Sequence, residues 1–101
     1  MRTLRIDYRR TGGFAGIEIT ADLAADQLPP PLAELAARLL TDPALGAPVR
    51  SAVPGGADHF DYQLRLTDGS RQHTFQWTDF TVPNLVRPLL SAANQVARPT
   101  A

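Results

Sequence analysis

The stretch Phe60-Asp61-Tyr62-Gln63-Leu64-Arg65-Leu66-Thr67-Asp68-Gly69-Ser70-Arg71-Gln72-His73-Thr74-Phe75-Gln76-Trp77 alternates apolar and polar side chains on both sides of Asp68-Gly69. Alternation with a period of two is the pattern of a strand with one buried face. Asp-Gly between two such runs is a strong signal for a two-residue hairpin turn, because glycine accepts the positive φ that the turn demands. Centring the turn on Asp68-Gly69 pairs Leu64 with His73, Tyr62 with Phe75 and Phe60 with Trp77. That register stacks an aromatic ladder on one face and leaves Asp61, Gln63 and Arg65 on the other.

A second hairpin precedes it. Leu4, Ile6 and Tyr8 alternate with Arg5, Asp7 and Arg9, and a turn centred on Gly12-Gly13 pairs Tyr8 with Ile17, Ile6 with Ile19, and Leu4 with Ala21. All three pairs are apolar and share a face, whereas a one-residue slip would split them. On the outer face Asp7 falls opposite Glu18, with Arg5 and Arg9 as diagonal neighbours that offset the repulsion.

Between the hairpins, Leu32, Leu35, Ala36, Leu39 and Leu40 form one apolar helical stripe. Pro29, Pro30 and Pro31 suit the helix start, and Asp42-Pro43 ends it. A loop rich in Pro, Gly and Ala is expected from Pro43 to Ala57. A second helix carries Leu85, Val86, Leu89, Leu90, Ala93 and Val96 or Ala97 on one stripe. Pro83 suits its first turn, and Pro88 is expected to kink it or to delay its regular part. The fold expected is α+β: a four-stranded antiparallel sheet from two hairpins, with two helices on its apolar face, in the order ββαββα. Residues 1–97 read as a single domain and 98–101 as a frayed C-terminal tail.

The chain has 101 residues, no cysteine and equal numbers of acidic and basic residues, 10 of each. The cysteine count rules out disulfides and thiolate metal sites. A net charge of zero argues against nucleic acid as a partner. The charged N-terminal alternation lacks the apolar core of a signal peptide, and no run is long enough to span a membrane. A cytoplasmic location and no membrane partner are therefore expected; the free chain is expected to be a monomer.

Catalytic and metal chemistry find little support. His59 and His73 stand apart, without a His-x-x-x-His or Glu-x-x-His pair, and read as packed or capped histidines. In Asp58-His59-Phe60-Asp61, strand geometry places His59 and Asp61 on one face, yet no serine or cysteine stands beside them to complete a triad. No cofactor is expected. Gly12-Gly13-Phe14-Ala15-Gly16 lacks dinucleotide-binding spacing and joins two strands, so it reads as a tight turn with a bulge at Gly16. It holds Phe14 at a rigid tip, on the face opposite Ile17 and Ile19, where a large apolar residue can anchor a partner. The expected topology brings the start of the third strand back to this tip. Phe14 and Asp58 should then lie at one edge of the molecule and Asp68-Gly69 at the other.

Three stretches carry a resemblance. Arg9-Arg10-Thr11-Gly12-Gly13-Phe14-Ala15-Gly16-Ile17, then Phe60-Asp61-Tyr62-Gln63-Leu64 with Asp68-Gly69, then Val82-Pro83-Asn84-Leu85-Val86-Arg87-Pro88-Leu89-Leu90 occur in one order. Together they resemble the emfourin family of protein inhibitors of thermolysin-like metalloproteases of the protealysin type. The resemblance implies a protein that is not an enzyme and that blocks a protease with two adjacent loops. One loop offers an aspartate to the protease zinc and the other puts apolar side chains into substrate pockets. Carried onto this chain, the aspartate matches Asp58 and the apolar loop matches Gly13-Phe14-Ala15, with Gly12 at its base. The inhibitor would need no zinc of its own. The competing readings are a non-catalytic protein-binding module or accessory subunit with another partner, and a small enzyme using Asp58, His59 and Asp61.

Overall fold

The computed structural model of the chain describes residues 4–12, 16–49 and 59–99. They form β1 (Arg5–Gly12), β2 (Ile19–Ala24), α1 (Pro30–Thr41), β3 (Phe60–Thr67), β4 (Gln72–Thr78), α2 (Arg87–Val96) and β5 (Arg98–Pro99), with 3-10 turns at Ala25–Gln27 and Pro43–Gly46. The fold is α+β, as the alternation and the helical stripes predict. The sheet is antiparallel, with strand order β4-β3-β1-β2-β5. It has five strands among the described residues, which corrects the expectation of four. The extra strand falls in the segment expected to fray: Arg98 pairs with Thr20 and Pro99 with Ile19.

One face of the sheet is apolar. Ile6, Tyr8, Leu23, Leu64, Leu66, Phe75 and Trp77 are buried there against Leu35, Ala36, Leu39 and Leu40 of α1 and Leu89, Leu90 and Ala93 of α2. The other face is polar and held by crossed charges. Asp7 stands opposite Asp22 in the β1–β2 ladder, but Arg5 reaches Asp22 at 2.7 Å and Arg65 reaches Asp7 at 3.5 Å. Like charges directly opposite each other are thereby offset by diagonal and next-strand partners.

Both hairpin registers differ from expectation by an even number of residues, so every side chain keeps its face. In the first, Tyr8 pairs with Ala21 and Ile6 with Leu23, a shift of four from the pairing with Ile17 and Ile19. The physical reason is burial: this register sets Leu23 opposite Ile6 in the core and leaves Ile17 54 % exposed. β1 also runs on through Gly12, which pairs with Phe60 of β3. In the second, Tyr62 pairs with Trp77, Leu64 with Phe75 and Leu66 with His73, a shift of two. Here Asp68 opens a four-residue loop instead of sitting at the turn centre. Its Oδ1 accepts hydrogen bonds from the Ser70 N–H, the Ser70 hydroxyl and the Arg71 N–H, and its own N–H donates to the Arg71 carbonyl. Gly69 supplies the positive φ of 94°.

The helices begin and end as their prolines dictate. Pro29 is the N-cap of α1, Pro30 its first residue and Asp42 its C-cap. Pro88 delays α2: turns occupy residues 84–86, and Pro88 is its second residue. Of the loop expected from Pro43 to Ala57, residues 43–49 are described: Trp77 Nε1 donates to the Gly46 carbonyl at 2.7 Å and Val49 N–H donates to the Thr81 carbonyl at 2.8 Å.

Candidate partner-binding edge

β1 and β3 end side by side, with Gly12 the register partner of Phe60. The approach is so close that a Cβ on Gly12 would come within 2.6 Å of the His59 carbonyl oxygen, and the backbone there has φ of 112°. Only glycine takes that conformation and that contact without strain. Asp68 and Gly69 follow β3 at its far end.

The root of β3 is tied down by Asp79. Its Oδ2 accepts the Phe60 N–H at 2.8 Å and its Oδ1 accepts the Tyr62 hydroxyl at 2.5 Å. Its N–H donates to the Phe60 carbonyl at 3.2 Å. Arg87 Nη2 donates to the Asp79 carbonyl at 3.0 Å, which joins this turn to the start of α2. Burial first, then the Asp79 hydrogen bond and charge, push the Tyr62 phenol far above its ordinary range. It is a fixed hydrogen-bond donor at any physiological pH. The guanidinium of Arg10 lies over the Phe60 ring, 4.2 Å from its centroid. On the polar face His59 Nε2 lies 3.5 Å from Asp61 Oδ1, the pairing that strand alternation predicts.

Of the residues singled out from the sequence, Gly12 is described, whereas Gly13, Phe14, Ala15 and Asp58 lie outside the described residues. Gly13 is bonded to Gly12, and Asp58 to His59. The two connections therefore spring from neighbouring points of the sheet. Sequence reasoning missed Asp79 and Tyr62 as the clamp beneath this edge. The one signal was an acidic residue directly after an apolar-alternating strand, in Trp77-Thr78-Asp79. No helix among the described residues is long and apolar enough to cross a membrane.

An antiparallel sheet with one polar open face, backed by two helices and emitting two connections at one end, defines a small two-layer α+β protein. The emfourin family model matches residues 8–94, and the chain belongs to this family, a family of protease inhibitors. No curated protein and no solved structure matches the chain.

Proposed function

We propose that the chain inhibits a thermolysin-like zinc metalloprotease of the protealysin type by filling its active site with the two segments rooted at Gly12 and His59. Phe14, flanked by Gly13 and Ala15, enters an apolar substrate pocket. Asp58 turns its carboxylate toward the protease zinc. The pairing of Gly12 with Phe60 is the observation that carries this reading, because it brings the two roots together within the span matched by the family.

The chemistry supports it. A catalytic zinc keeps one position open for water, and a carboxylate takes that position. Displacing the water removes the nucleophile that the metal activates. A rigid support lowers the entropy that binding must overcome, and the Asp79 clamp on Phe60 and Tyr62 supplies such a support under one of the segments.

The test is a titration of the purified chain into a thermolysin-type protease acting on a peptide substrate. Stoichiometric loss of cleavage is expected. Undiminished cleavage at excess chain overturns the reading, and a co-purifying partner without a His-Glu-x-x-His helix would assign the edge to a binding module of another kind.

A further inference from the structure

The helix-facing side of β1 and β3 carries a cleft that the inhibitory reading does not use. It lies between Tyr8, Arg10 and Tyr62 of the sheet and Arg87, Ser91 and Asn94 of α2, is open to solvent on one side, and has a volume of about 180 Å³. Water occupies about 30 Å³ per molecule in the liquid, so the space accommodates a carboxylate on a short apolar stem. Val82 and Leu90 complete its wall and suit such a stem.

The polar groups of this cleft are mostly donors. Tyr8 donates its hydroxyl to Asn94 Oδ1 at 3.3 Å, which engages the amide oxygen and leaves the amide N–H₂ as the donor that Asn94 brings to the cleft wall. Tyr62 donates to Asp79. Asp79 is the acid whose charge reaches both tyrosines, and its two carboxylate oxygens are engaged by Tyr62 and the Phe60 N–H. Arg87 spends Nε on Asn84 and Nη2 on the Asp79 carbonyl, which orients its guanidinium at the cleft.

Arg10 is the decisive group. Arg5, Arg9 and Arg65 lie on the polar face and each meets a carboxylate. Arg10 lies on the opposite, helix-covered face, only part-exposed, stacked on Phe60, with no acceptor for its guanidinium among the described residues. A partly desolvated guanidinium is strongly favoured by a charge-assisted partner, and its planar fork fits a carboxylate with two parallel hydrogen bonds.

We propose that this cleft is a carboxylate-binding site, with Arg10 and Arg87 as the charge-bearing ligands and Ser91 and the Asn94 amide as further donors. The carboxylate is either that of a free small organic acid or that of an acidic side chain on a bound protein.

The experiment is an NMR titration of the full chain with sodium acetate against sodium chloride at matched ionic strength. Saturating shifts confined to Tyr8, Arg10, Arg87, Ser91 and Asn94 are expected with acetate alone. In Arg10→Gln and in Arg87→Gln the acetate affinity should fall by about tenfold or more, as expected for a lost hydrogen bond between charged groups. Thermal melts of the variants verify that each is folded, and Arg87, being exposed, keeps the test open if Arg10→Gln unfolds. Shifts that match chloride, or acetate binding unchanged in both variants, overturn the proposal. A second arm separates the two sources. If the site receives a protease side chain, acetate and both variants weaken inhibition together. If it takes a free acid, acetate binds and inhibition is unaltered. The acetate titration stands whether or not the chain inhibits a protease.

Discussion

The Asp79 carboxylate holds the Phe60 N–H at 2.8 Å, and so fixes the first residue of β3 from a position 19 residues further along the chain. The same carboxylate takes the Tyr62 hydroxyl, so one side chain ties together the strand root, the aromatic ladder and the turn leading to α2. Asp79→Ala should therefore lower stability by about 2–3 kcal/mol, the loss of hydrogen bonds to a charged acceptor. Asp79→Asn, which keeps one acceptor oxygen, should cost less. Urea unfolding of the two variants checks this, and an unchanged midpoint for Asp79→Ala would show that water serves the Phe60 N–H as well.

Alkaline pH should destabilise the fold. Burial raises the Tyr8 phenol above its ordinary value of 10.0, and burial together with Asp79 raises that of Tyr62 further. Both groups bind their protons more tightly folded than unfolded. The unfolded chain releases them near its ordinary tyrosine pKa of about 10, so stability is fully present below that pH and falls as pH rises past it. Denaturation midpoints on either side of this pH, followed with tyrosinate absorbance, test the sign. Tyr62→Phe should flatten the fall, and tyrosinate appearing in the native protein near the ordinary pKa would contradict it.

Trp77 is 3 % exposed, stacks on Phe75 with ring centroids 5.2 Å apart, and donates to the Gly46 carbonyl. Trp77→Ala should cost about 3–5 kcal/mol, as for other buried aromatics. Gly46→Ala tests the same contact from the other side. Its Cβ would fall 2.6 Å from Phe75 Cε1, inside a packed ring. Overpacking of this kind costs about 1–3 kcal/mol. Calorimetry on the two variants would show whether the ring yields.

Gly12→Ala should strain both the edge and the fold, since the new Cβ meets backbone at His59 and the φ of 112° is unfavourable for alanine. A loss of about 1–3 kcal/mol in stability is expected, together with weaker inhibition. A variant as stable and as inhibitory as the parent would mean that the two strand ends are not held as closely as described.

The proposed inhibitory edge is tested by Phe14→Ala, Asp58→Ala and Asp68→Ala assayed together. Phe14→Ala should weaken protease binding by about 2–4 kcal/mol, the range of an interface anchor, and Asp58→Ala should weaken it too. Asp68→Ala, at the far end of β3, should leave inhibition intact. It should nevertheless cost about 1–2 kcal/mol of stability, because its carboxylate organises the loop it opens. Inhibition lost in Asp68→Ala and kept in Asp58→Ala would place the binding surface at the opposite end of the sheet.

The nearness of Gly12 and the start of β3 was legible from the course of the chain, since β2 leaves that end of the sheet and α1 returns the chain to it; that β3 pairs with β1 itself was decided by the tertiary structure. The clamp beneath them was not legible, because nothing local in Thr78-Asp79-Phe80 says that its carboxylate will reach a backbone N–H on another strand. Nor was the anchoring of Gly46, whose carbonyl finds Trp77 across 31 residues. Hydrogen bonds of such separation leave no periodic trace.

Alternation along Phe60–Leu66 and Leu4–Tyr8 determined which side chains face the core, and the stripes at Leu35–Leu40 and Leu89–Ala93 determined the helices that cover them. A period of two is unaltered by a shift of two or four, so the same pattern accepts Tyr8 beside Ile17 or beside Ala21, and Tyr62 beside Phe75 or beside Trp77. Tertiary structure made those choices: α1 and α2 give Leu23 a buried site that Ile17 lacks, and the Asp68 carboxylate closes a four-residue loop. The fifth strand has the same origin, since Arg98 and Pro99 pair only once α2 has delivered them to the edge of β2.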